Sequence, residues 1–124
     1  MVSHSKLAAA VVAMLLASSA AHADTSESLM TRSRAAEKLG KADAAERFAQ
    51  SAIVADPLRV SSYVGLADLY LREGRTDFAS FYYSEALEIE PENVEAQHGL
   101  AQADRAQKQE TATAEGSANG KAAH

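Results

Sequence analysis

"GRTDFASFYYSEALEIEP" occupies Gly74–Pro91, and thirty-four residues upstream the chain reads "GKADAAERFAQSAIVADP" over Gly40–Pro57. The two stretches share a skeleton and little else. Gly40 and Gly74, Asp43 and Asp77, Ala45 and Ala79, Ala52 and Ala86, and Pro57 and Pro91 fall in register. Each shared residue has a local meaning. Gly suits the left-handed position that ends a helix. Asp suits a helix start, so Asp43 and Asp77 are expected to cap the helices that follow them. Pro lacks an N–H and turns its predecessor away from helix, so Pro57 and Pro91 stop those helices. Reading outward from this skeleton, the apolar periodicity predicts five helices over about 25–38, 43–54, 59–72, 77–89 and 94–107.

A 34-residue period of helix pairs marks a solenoid, because one pair cannot bury its own apolar face and must stack on the next. The second unit carries more than the period. Tyr63-x2-Leu66-Ala67-x2-Tyr70, then Ala79-x3-Tyr83, then Ala86-Leu87 and Pro91, closely resembles the tetratricopeptide repeat (TPR). That family prefers Trp at the Tyr63 slot, Gly at the Ala67 slot and an aromatic at the Tyr83 slot. The resemblance implies an all-α, helix-turn-helix solenoid with two repeats, about 26–59 and 60–93, and a C-terminal capping helix over 94–107. Together these fill a domain over 24–108. Ala67, Ala79 and Ala86 are expected where helices approach most closely, with Tyr63, Leu66, Tyr70, Tyr83 and Leu87 filling the space beside them. The first unit departs from the pattern: Arg32, Ala36 and Ala49 stand where the family usually has Leu and two aromatics. In the last half-unit Gln97 and Asp104 take aromatic slots, which suits a helix with a polar outer face closing the stack. About three repeats are usually needed for a stable stack, so two and a half are expected to lean on a partner or on a second copy.

The ends read differently. "MVSHSKLAAAVVAMLLASSAAHA" (1–23) joins a short positive start, an uncharged run from Leu7 to Leu16 and a small-x-small site, Ala21-His22-Ala23. This is the pattern of a cleaved secretory signal peptide. The apolar run falls short of the ~20 residues that span a bilayer. No Cys follows the site, as a lipoprotein would require; Asp24 stands there. The expectation is a soluble periplasmic or secreted protein, cleaved after Ala23, with no membrane anchor left. From 109 to 124 small polar residues and Gly dominate without an apolar period, and that composition predicts a disordered tail.

Bulk composition narrows the chemistry. A net charge of −5 disfavours nucleic-acid binding, and the absence of Cys excludes disulfides and thiolate metal sites. The sequence has no Gly-rich phosphate loop, no HExxH and no GxSxG. His98 and His124 are the histidines outside the leader. Glu85, Glu88, Glu90, Glu92 and Glu95 crowd one stretch, but lack the Gly-centred spacing of a calcium loop and read as a solvated face. The expectation is therefore no enzyme, no cofactor and no bound metal.

The resemblance implies instead a non-enzymatic adaptor or scaffold that binds a peptide or partner helix in a concave groove lined by the first helix of each pair. Helical spacing nominates Met30, Arg34 and Glu37, then Val64, Asp68 and Leu71, then His98, Gln102 and Arg105. Met30, Val64 and Leu71 would give an apolar strip, and Arg34, Asp68 and Arg105 charges of both signs. The carboxylate clamp of some family members is not matched, since Val64 and Asp68 occupy its slots. Phe78 and Phe81 form a second feature: large apolar residues, three apart, at slots that are normally polar. They read either as a contact patch, through which the chain would form a homodimer, or as packing against a neighbouring helix end or the tail. Two alternatives stand beside the adaptor: a self-associating structural subunit of an envelope assembly, and a cation or small-molecule binder using the acidic stretch.

Overall fold

The computed structural model describes residues 25–122; the leader, its cleavage site and His124 lie outside them. Five α-helices run through the described residues: α1 over 25–38, α2 Ala42–Ala55, α3 Val60–Arg72, α4 Thr76–Ile89 and α5 Val94–Ala122. No strand occurs among them, and the fold is a helical repeat solenoid. The chain forms two compact units that meet inside α3, one ending at Ser62 and the other beginning at Tyr63.

The two repeated turns are built alike. Gly40 has φ +72° and Gly74 φ +75°. Behind them Gly40 N–H donates to Glu37 O at 2.9 Å and Lys41 N–H to Ala36 O at 2.9 Å. At the second turn Gly74 N–H donates to Leu71 O at 3.1 Å and Arg75 N–H to Tyr70 O at 2.9 Å. This pair of bonds is the Schellman motif, and it satisfies the last carbonyls of α1 and α3. A Cβ at Gly74 would meet nothing within 4 Å, so its requirement for Gly lies in the backbone alone. Gly74→Ala is therefore expected to lose about 1–2 kcal/mol, the cost of a left-handed L-residue, with no change in packing. Urea unfolding checks this; a loss near zero would mean the turn rearranges freely.

The helix starts differ from expectation. Lys41 and Arg75, the last residues of the Schellman turns, are themselves the N-caps of α2 and α4, and neither cap makes a side-chain hydrogen bond. The turn is so short that each helix begins one residue before its Asp. Asp43 and Asp77 lie inside the first turn, where they complement the helix dipole and cap nothing. The cap that does form is at Asn93. Its Oδ1 accepts from Ala96 N–H at 2.9 Å and opens α5. Asp56 and Glu90, before the two prolines, take extended φ values of −145° and −134° and end α2 and α4.

In the first unit small side chains make up most of the core, beside the buried Met30. Ala45, Ala49 and Ala52 of α2 are fully buried, with Ala36 of α1 nearly so. Buried serines replace the missing bulk. Ser33 Oγ donates to Ala45 O at 2.7 Å, and Ser26 Oγ to Ala52 O at 3.0 Å. Ser26 also meets Ser62 Oγ at 3.1 Å. Hydroxyls of this length reach the facing backbone only when the helices lie close, which Ala permits. An Arg59–Glu27 ion pair at 3.2 Å closes the exposed edge.

In the second unit Ala67, Ala79 and Ala86 are fully buried, with Leu66, Tyr70 and Tyr83 filling the space between them as expected; Tyr63 and Leu87 are half-buried. α4 packs along α5. Where a disordered tail is predicted from 109, α5 instead continues to Ala122. Thr76, buried at the start of α4, donates from Oγ1 to Glu110 at 3.3 Å, three residues past the predicted helix end. Farther on, Thr111 and Thr113 return their hydroxyls to Lys108 O and Gln109 O. Composition argues only that this stretch buries little, and residues 109–120 are exposed. Extending a helix already nucleated at Asn93 needs no new nucleus, and nothing from Gln107 to Glu115 breaks it.

Candidate functional site

The nominated groove residues divide sharply. In the first unit Arg34 is exposed and Glu37 half-buried, but Met30 is core, 5% exposed. In the second unit Val64 is also 5% exposed. The predicted apolar strip is thus corrected: two of its three members are interior, and Leu71 is half-buried. For α3 the reason is plain. Val64, Leu66, Ala67, Leu69 and Tyr70 are all buried, so apolar residues surround most of the helix, as in an interior helix rather than one with a single buried stripe.

Asp68 has structural work. Its Oδ1 accepts a hydrogen bond from the hydroxyl of fully buried Tyr83. Burial first, then this bond and the adjacent carboxylate charge, push the Tyr83 hydroxyl well above its ordinary value of 10.0. It stays neutral and donating throughout the physiological range. On α5, His98, Gln102 and Arg105 are exposed and lie at i, i+4 and i+7, so they share one face.

A second surface is better formed. Asp77, Phe78, Phe81 and Tyr82 line a pocket of about 320 Å³ on α4. Phe78 is 43% and Phe81 56% exposed. Phe81 stands edge-on to Tyr82, with centroids 5.1 Å apart and planes at 87°. Tyr82 stacks on Tyr70 at 5.6 Å, and Tyr70 meets Phe78 at 5.2 Å. The Arg75 guanidinium covers Tyr70 and Phe78, 4.6 and 4.5 Å from their centroids. Sequence spacing finds the two Phe residues. It misses that Asp77 and Tyr82 line the pocket beside them on α4, and that Tyr70 joins the cluster from across the turn between α3 and α4, with Arg75 in the turn itself.

Among the described residues, no three His, Asp or Glu side chains gather to hold a metal ion, and no helix is long and apolar enough to cross a membrane. Residues 60–93 match the family model of the tetratricopeptide repeat. Among solved structures, the Arabidopsis OM64 TPR domain is similar, with a TM-score of 0.61 and 23% sequence identity over 68% of this chain and 69% of that one. At that identity the likeness concerns the fold. No curated protein matches.

Proposed function

We propose that this chain, which carries a tetratricopeptide repeat at residues 60–93, is a non-enzymatic protein-interaction module that works in the periplasm or cell envelope. The repeat match carries the reading, because a stack of such helix pairs is a scaffold that presents side chains to other proteins. The leader pattern at 1–23 supports the compartment. Burial of Met30 and Val64, and the engagement of Asp68, shift the binding strip on the second unit to the exposed His98, Gln102 and Arg105. A peptide or partner helix with matching polar and acidic groups fits that strip.

Expression of the full chain in a Gram-negative host tests both parts. The periplasmic product is expected to begin at Asp24; a cytoplasmic product retaining residues 1–23 would refute the compartment. Crosslinked partners of the wild type are expected to be lost from His98→Ala/Gln102→Ala/Arg105→Glu. These changes lie on an exposed face and leave the core intact. An unchanged set of partners on that variant would refute the α5 strip.

A further inference from the structure

We propose that the α4 pocket lined by Asp77, Phe78, Phe81 and Tyr82 takes the cationic side chain, lysine or arginine, of a basic partner segment. This surface is separate from the α5 strip, and its occupant is set by its own chemistry.

Three observations carry the proposal. The first is the shape of the walls. Phe81 and Tyr82 meet at 87° and form a corner of two ring planes, while Phe78 stands one helical turn from Tyr82. The pocket is an open depression of about 320 Å³ on one helix, at the small end of ligand sites, and so suits a side chain rather than a whole helix. The rings also remain substantially exposed, unlike the aromatics of the core.

The second is the use the chain already makes of these rings. The Arg75 guanidinium lies 4.5 Å from the Phe78 centroid and 4.6 Å from that of Tyr70. One side of the aromatic cluster thus already holds a cation by the attraction between positive charge and ring face. The pocket is lined by Phe78 together with Phe81 and Tyr82, which Arg75 does not cover among the described contacts.

The third is charge. Asp77 contributes a carboxylate to the pocket wall. α4 also carries Glu85 and Glu88, and has no Lys, Arg or His along its length. Glu90, Glu92 and Glu95 follow it. Arg75, which precedes α4, is held over the Tyr70 and Phe78 rings; the charge on α4 itself is acidic throughout and complements a basic segment. It opposes a second copy of the chain, because a two-fold contact would set this acidic helix against itself.

The test follows the ring protons of Phe78, Phe81 and Tyr82 by NMR on the leader-free, secreted form of the full chain. The probes are acetyl-Gly-Lys-Leu-Gly-amide and its norleucine analogue, which keeps the alkyl chain and removes the ammonium. Saturable shifts are expected with the lysine peptide, and at least about tenfold weaker binding with norleucine, the scale of one partly desolvated cation–π contact. Phe81→Ala is expected to weaken the lysine peptide by about tenfold on the same basis, and Asp77→Asn to weaken it less. Circular dichroism verifies that both variants fold. Equal binding of the two peptides, or no saturable shift with either, would overturn the proposal. So would ring shifts that grow with protein concentration in the absence of peptide, which would assign the patch to self-association. Each of these failures leaves the partner assay on His98, Gln102 and Arg105 unaffected.

Discussion

Tyr83→Ala is expected to lose about 3–5 kcal/mol, the range for truncating a buried aromatic side chain. Tyr83 is fully buried and joins three helices of the second unit. It grows from α4, its hydroxyl donates to Asp68 on α3, and its ring lies against Gly99 on α5. Small domains hold only about 5–15 kcal/mol in total, so the variant should be largely unfolded under mild denaturation. Tyr83→Phe separates the ring from its hydroxyl. It keeps the packing and is expected to cost about 1.5–3 kcal/mol, the range for a hydrogen bond to a charged group. The phenol also predicts a pH signature. Its folded value is raised above the unfolded 10.0, so the folded state holds the proton longer. The stabilisation is complete below about pH 10 and falls as pH rises beyond it. Tyr83→Phe should flatten that alkaline decline. Urea unfolding from neutral pH to pH 11 provides both readings, and parallel wild-type and Phe curves above pH 10 would contradict the placement of the proton.

Gly99→Ala is the second large effect, and its sign is informative. Ala is ordinarily the better helix former by about 1 kcal/mol. Here a Cβ would lie 2.3 Å from both Cε1 and Cζ of Tyr83 and 2.8 Å from its hydroxyl oxygen. The ring is fully enclosed and tied to Asp68, so it has nowhere to move. Overpacking costs about 1–3 kcal/mol and exceeds the gain in propensity. Net destabilisation is therefore expected by thermal and urea melts. The double variant Gly99→Ala/Tyr83→Leu should lose less than the sum of its parts, because the smaller side chain relieves the contact. Strict additivity, or a stabilised Gly99→Ala, would show that α4 and α5 do not approach as described. Gly74→Ala supplies the contrast. One glycine is required by its backbone angle and the other by a neighbour's ring, and only the second cost can be relieved by a change elsewhere.

The engagement of Asp68 affects how partner binding is probed. A charge reversal at Asp68 removes the acceptor of a buried hydroxyl, so lost binding would report lost structure. The exposed trio on α5 and exposed Phe81 do not carry that confusion.

The sequence by itself determined the repeat and its punctuation. Gly40 and Gly74, Pro57 and Pro91, and the small residues Ala67, Ala79 and Ala86 act through local backbone angles or through a helical period that two copies display side by side. Five helices and the solenoid follow from them. Tertiary structure alone decided which faces remain open. Met30 and Val64 look like an apolar strip on a helical wheel, yet both are buried. Asp68 looks like a free charge and instead receives Tyr83. Gly99 looks like a weak point in a helix and is the seat of a ring. Phe78 and Phe81 become a pocket only when Tyr82 and Asp77 stand beside them on the folded helix. The unexpected length of α5 belongs here as well, since its contact with Thr76 reaches back across thirty-four residues. Periodicity gives the direction of a side chain around its own helix axis. Whether another helix lies in that direction, and what meets it there, depends on contacts distant in sequence, and those exist only once the helices have packed.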